Sequence, residues 1–88
     1  MNKKNHKNYN IVSEWGVLSS RETGRGETIE VRLTKTSWFG KAPRWDLRNW
    51  TPTLAGQGIV IGEDADLFRL RDMLISVCAQ VEEHPREY

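Results

Sequence analysis

The sequence has little of what most enzymes and metal proteins are built from. A single cysteine, Cys78, excludes an internal disulfide and any cysteine-pair metal site, which suits a reducing compartment. The two histidines, His6 and His84, fall near the ends, and no His, Cys, Asp or Glu grouping has metal-ligand spacing. No nucleophile stands with a base, and no carboxylate pair is recognisable, so the chain reads as a non-enzyme without cofactor or metal. Long apolar runs are also missing. None approaches the roughly 18 residues of a membrane span, and Met-Asn-Lys-Lys-Asn-His-Lys-Asn at the start has no apolar region behind its charges. Neither a membrane segment nor a secretory leader is expected, and the predicted location is cytoplasmic, with nucleoid association as an extension of it. Gly24-Arg25-Gly26 lacks the Lys-Ser/Thr of a phosphate-binding loop and opens no helix, so turn glycines account for it.

What is present is unevenly placed. The 88 residues form one domain, and a chain of this length buries only about 60–65% of its unfolded surface, which favours oligomerisation. The formal net charge of +1 divides into +5 over residues 1–50 and −4 over residues 51–88. Trp15, Trp38, Trp45 and Trp50 all lie in the positive part. Basic and aromatic character concentrated together points to a nucleic-acid partner more than the whole-chain total does.

In chain order, residues 1–10 are rich in Asn and Lys and read as a flexible basic arm, either touching phosphate or merely solubilising. Residues 11–83 read as the folded domain and residues 84–88 as a tail. Ile11 to Ser19 predicts a strand that a bulge or bend at Gly16 interrupts. From Thr28 to Trp38, Ile29, Val31 and Leu33 alternate with Glu30, Arg32 and Thr34, giving a second strand with one buried face. Unbroken alternation puts Trp38 on the face of Arg32; a bulge puts Lys35 there instead. The connection Trp38 to Pro43 turns on Gly40 and Pro43.

The third strand, Ala42 to Trp50, carries the densest signal. Arg44, Asp46, Arg48 and Trp50 share one face, Trp45, Leu47 and Asn49 the other. Fixed cations beside a flat ring are what a surface needs to neutralise a phosphate backbone and stack an unpaired base. Trp50 is therefore expected as a stacking platform, Arg48 as a phosphate or base contact, Asp46 as the carboxylate that orients an arginine, and Trp45 as core. Parity leaves Trp15 undetermined. A loop from Thr51 to Gln57, a short strand Gly58 to Ile61, and a helix from about Asp64 to Glu82 or Glu83 complete the chain, with acidic residues in the helix's first turn. Leu67, Leu70, Leu74, Val77 and Val81 form one apolar seam on that helix, with Phe68, Ile75 and Cys78 beside it. That width exceeds what a small sheet covers and predicts a homodimer interface along the seam.

Trp45-Asp46-Leu47-Arg48-Asn49-Trp50, followed by Gly56-Gln57-Gly58-Ile59-Val60-Ile61 before an acidic helix start, resembles the C-terminal domain of the transcriptional coactivator positive cofactor 4, and more closely its small bacterial YdbC-like relatives. The likeness runs from about Ile11 to Val81, with Ser37-Trp38 to Ala42-Pro43 supporting it. It implies an α+β fold, a curved four-stranded antiparallel sheet followed by a C-terminal helix (ββββα), homodimeric, binding single-stranded DNA with little sequence preference. By motif, Arg48 is the strand-three arginine on DNA, Trp50 the aromatic after it, and Trp38 or Phe39 the loop aromatic beside the cation Lys41. Gln57 stands where relatives place a lysine or arginine, and Gly62 where a serine cap is common. The expected interface is thus Arg32, Lys35, Trp38, Phe39, Lys41, Arg44, Arg48 and Trp50, acting as a coactivator-like or DNA-maintenance factor. Single-stranded RNA is the nearer alternative ligand, since stacking and phosphate contacts do not see the 2′-hydroxyl. A protein-interaction adaptor of the transcription machinery is the alternative from another class.

Overall fold

The structure, a computed structural model, describes residues 8–84; residues 1–7 of the predicted basic arm (1–10) and residues 85–88 of the predicted tail (84–88) lie outside the described residues. Four strands, β1 (Tyr9–Glu22), β2 (Thr28–Trp38), β3 (Arg44–Trp50) and β4 (Ala55–Gly62), are followed by one helix, α1 (Asp64–Glu83). The strands pair antiparallel in the order β1-β2-β3-β4, an open sheet with β1 and β4 at its edges. The fold is the ββββα architecture expected from the sequence. β2 and α1 match their predicted spans. β1 is longer at both ends, taking in Tyr9 and Asn10 from the stretch read as an arm, and β4 starts at Ala55 because Thr51 to Leu54 already completes the turn.

Strand β1 does not lie flat. Its register against β2 slips at Ile11/Ser13, Glu14/Gly16 and Val17/Ser19, leaving Val12, Trp15 and Leu18 as extra residues without a partner. Each such bulge bends the strand and increases its twist. The expected irregularity at Gly16 is thus one of a series spaced by three residues. The β2–β3 ladder, by contrast, runs without a slip from Glu30↔Trp50 to Thr36↔Arg44. β4 fits against β3 only because of Gly58: a Cβ there would sit 1.9 Å from the Arg48 Cβ.

The unbroken β2–β3 register gives the sheet two faces. Arg32, Thr34 and Thr36 share one with Asp46, Arg48 and Trp50; Leu33 and Lys35 share the other with Leu47 and Trp45. Helix α1 lies over the second face, beside β3 and β4, and its start is tied to the sheet where Trp45 Nε1 donates to Asp64 Oδ1 at 2.8 Å. Yet no residue of α1 is buried. Leu67, Leu70 and Leu74 border an open apolar cleft of about 620 Å³ whose sheet side is Trp15, Leu33, Leu47 and Ile61. Burial is concentrated on the first face, where Thr34, Thr36, Asp46 and Trp50 are closed off from solvent. No described helix is long and apolar enough to cross a membrane.

Candidate nucleic-acid interface

The first face is organised by one carboxylate. Asp46 is fully buried, a position costly for an anion unless every oxygen is paired. Its Oδ1 accepts Arg48 Nε at 2.6 Å, and its Oδ2 accepts Arg48 Nη2 at 2.9 Å and Trp38 Nε1 at 3.0 Å. Arg48 Nη1 donates to the Gly56 carbonyl at 3.0 Å, and the guanidinium lies 4.4 Å from the Trp38 ring centre. Asp46 therefore does what parity suggested, orienting Arg48, and in addition it anchors the Trp38 indole. Arg48 is correspondingly committed: Nε, Nη1 and Nη2 each donate to a protein acceptor, and the guanidinium backs the Trp38 ring.

Phe39 follows directly and is displayed by the turn. Lys41 N donates to the Trp38 carbonyl at 2.9 Å across Phe39 (φ 55°) and Gly40 (φ 74°), both left-handed. Such a turn suits glycine or asparagine, and a phenylalanine there is an outlier that surrounding contacts must hold. The Phe39 amide is fixed by the Asn8 carbonyl at 2.7 Å, and the Phe39 ring stands 68% exposed.

Trp38, Phe39, Lys41, Arg44 and Arg48 converge on one cleft of about 640 Å³ over Val60. Five of the eight residues expected at the interface are thus brought together. The other three are elsewhere. Lys35 is on the helix side, its Nζ 3.7 Å from Asp64 Oδ1 and 5.3 Å from the Trp45 ring, because the β2 alternation has no bulge to turn it over. Arg32 keeps the predicted face but is held by two carboxylates: Nε and Nη2 bind Glu30 Oε1 at 2.9 and 2.8 Å, and Nη1 lies 3.7 Å from Glu14 Oε2. Trp50 is the correction of most consequence. Expected as an exposed platform, it is 4% exposed, the most buried large apolar side chain among the described residues, because the Tyr9 ring closes over it with centroids 5.3 Å apart. Trp45, expected as core, is only half-buried, with Asp64, Lys35 and Trp15 beside its ring.

Tyr9 and Val60 are members of the site that sequence reasoning missed. Tyr9 sits 5.2 Å from Trp38 and 5.3 Å from Trp50, so Phe39, Trp38, Tyr9 and Trp50 form a continuous row of rings. Its Asn/Lys-rich neighbourhood carried no strand signal. Val60 lies in a run, Ile59-Val60-Ile61, whose uniform apolarity hides which side faces which cleft.

The helix seam divides similarly. Leu67, Leu70 and Leu74 line the apolar cleft, Val77 borders a shallow groove on the outer side with Met73 and Ser76, and Val81 is half-buried. At the helix start, the Trp45 indole, then the charge of Lys35, hold the Asp64 carboxyl below its ordinary 3.8.

No protein-family model matches the chain. It is similar to an uncharacterized protein of Treponema pallidum (strain Nichols), 32% identical over a 71-residue alignment that covers 78% of each chain.

Proposed function

The chain belongs to the same family as this treponemal protein, and we propose that it is a cytoplasmic single-stranded DNA-binding protein of low sequence specificity, related to the positive cofactor 4 C-terminal domain. The observation that carries this reading is the cleft in which the exposed Phe39 and the Asp46-anchored Trp38 stand with Lys41 and Arg44 over Val60. Rings supply stacking surfaces that any base satisfies, and the two cations neutralise the backbone between them. A duplex keeps its bases stacked on one another and leaves the rings nothing to hold. RNA is discriminated by its 2′-hydroxyl, and this cleft offers stacking and charge, to which that group is invisible, so single-stranded RNA is expected to compete.

The same reading includes a homodimer. A 20-residue helix without a single buried residue gains little from tertiary packing, which supplies most helical stability in proteins. A second copy covering the Leu67, Leu70 and Leu74 side with its own apolar face removes that exposed surface.

Tryptophan fluorescence titrated with oligo-dT, the corresponding duplex and a matching RNA, at low and moderate salt, tests the function. Strong, salt-sensitive quenching by the single strands and weak quenching by duplex is expected. Absence of a response at low salt, with no mobility shift, overturns it.

A further inference from the structure

Opposite Arg48 and Asp46, strand β4 brings Gly58 and Val60 to the first face of the sheet. A side chain at Gly58 would collide with Arg48, so Val60 is what β4 contributes at this point. Val60 is 47% exposed, and it lines the cleft of Trp38 and Phe39 together with Ala42, which is also exposed. Two aliphatic side chains are thus left open to water inside a site otherwise built of rings and cations. Stacking and phosphate neutralisation make no use of them.

The rest of the lining decides what the edge of a base meets there. Among the described residues no carboxylate, amide or hydroxyl side chain lines the cleft. The Trp38 N–H is spent on Asp46 Oδ2, and Arg48 donates from Nε, Nη1 and Nη2 to Asp46 and the Gly56 carbonyl. Lys41 and Arg44 are the cations that the proposed function gives to phosphate. The rings then take the face of a base and the cations its backbone, which leaves the base edge to Ala42 and Val60. Aliphatic carbon does not distinguish donors from acceptors. It responds to apolar substituents, and among the standard bases thymine alone carries one, the C5 methyl.

We propose that Val60 and Ala42 are the specificity-determining residues of this cleft, seating the C5 methyl of a stacked thymine and so favouring thymine over uracil. The inference rests on the single-strand binding proposed above and adds a preference to it. One methyl taken from water into apolar contact changes affinity by about fourfold when it is fully covered, and a wall as open as this one should give about two- to fourfold. The sugar stays unread. RNA is disfavoured only through the methyl that uracil lacks, and not through its 2′-hydroxyl.

Oligo-dT and oligo-dU of equal length differ by that methyl alone, and titrating the whole chain with each at low salt, read by tryptophan fluorescence, provides the test. Oligo-dT is expected to bind about two- to fourfold more tightly per seated base, and RNA built from 5-methyluridine to exceed oligo-U by the same factor. Val60→Ala removes the apolar wall, and Val60→Thr keeps the branched shape with a hydroxyl in place of one methyl. Both should bring the ratio of dT to dU affinity close to one. Threonine suits a strand as valine does, so the second variant carries the test if the first destabilises β4. Equal affinity of the parent for oligo-dT and oligo-dU overturns this inference and leaves the proposed function standing. A dT preference that survives both Val60 variants also overturns it, because ring stacking then supplies the preference. Binding of neither strand at low salt overturns both.

Discussion

The Arg48 guanidinium lies over the Trp38 ring at 4.4 Å, and both side chains hang on the buried Asp46 carboxylate. A charge–ring contact of this kind is worth about 0.5–2 kcal/mol, more as water is excluded. Its structural effect is to hold the Trp38 indole in one orientation before any ligand arrives. For the single-strand binding proposed above, that forgoes the ordering cost a mobile aromatic would bring, about 0.5–1.5 kcal/mol per side chain.

Asp46→Ala tests that arrangement. It strands the Trp38 N–H and leaves Arg48 with only the Gly56 carbonyl. Removing one member of a buried pair costs about 3–5 kcal/mol, and the lower end applies because Arg48 keeps some contact with water. Urea denaturation should register a loss of about 3 kcal/mol, together with weaker quenching by oligo-dT. An unchanged midpoint would mean that packing alone orients Trp38.

Phe39→Gly separates stability from binding. Glycine adopts a φ of 55° without steric cost, so relief of about 1 kcal/mol is expected at that position. Loss of the ring removes a stacking surface worth about 1–3 kcal/mol per base. The variant should therefore melt no lower than the parent and bind single strands at least fivefold more weakly. Equal affinity would take Phe39 out of the interface.

The division of the cations is testable by salt dependence. Lys41 and Arg44 border the cleft, whereas Lys35 is across the sheet and Arg32 is neutralised by its two glutamates. Alanine at Lys41 or Arg44 should each lower the slope of log affinity against log salt by about 1. Alanine at Lys35 or Arg32 should leave it unaltered, and a comparable drop at either would redraw the binding face.

For the helix, Leu74→Glu introduces a charge into the apolar cleft between α1 and the sheet. If a second copy closes that cleft, burying the carboxylate costs several kcal/mol, and sedimentation should find monomer or aggregate in place of dimer. A well-folded dimer with this change would move the interface to the Val77 side or off the helix.

Acid should loosen the helix start. The Trp45 indole and the Lys35 charge hold Asp64 below its ordinary pKa, so its contribution to stability is complete above about pH 4 and is lost as pH falls through the lowered value. Asp64 is exposed, and the effect is correspondingly modest. Asp64→Asn keeps an acceptor for Trp45 and loses the charge; its stability should be flatter across that acid range, read from Trp45 indole shifts. An acid limb identical to the parent's would assign the pH dependence to other carboxylates.

Much of this was legible in the chain itself. Alternation of period two delimits β2 and β3, the 3–4 spacing of Leu67, Leu70 and Leu74 marks the helix, and parity places Arg44, Asp46 and Arg48 together on one face. Local sterics set these patterns, so nearby residues suffice to read them. Which face is covered is another matter, because parity assigns a side chain to a face without saying what lies on top of it. Tyr9, from the far end of β1, packs over Trp50 and turns an expected platform into the centre of a small core. The bulges at Val12, Trp15 and Leu18 bend β1, and Asp46 gathers Trp38 from eight residues away. Those contacts join segments remote in sequence, and only the folded chain, where burial and pairing are settled together, could decide them.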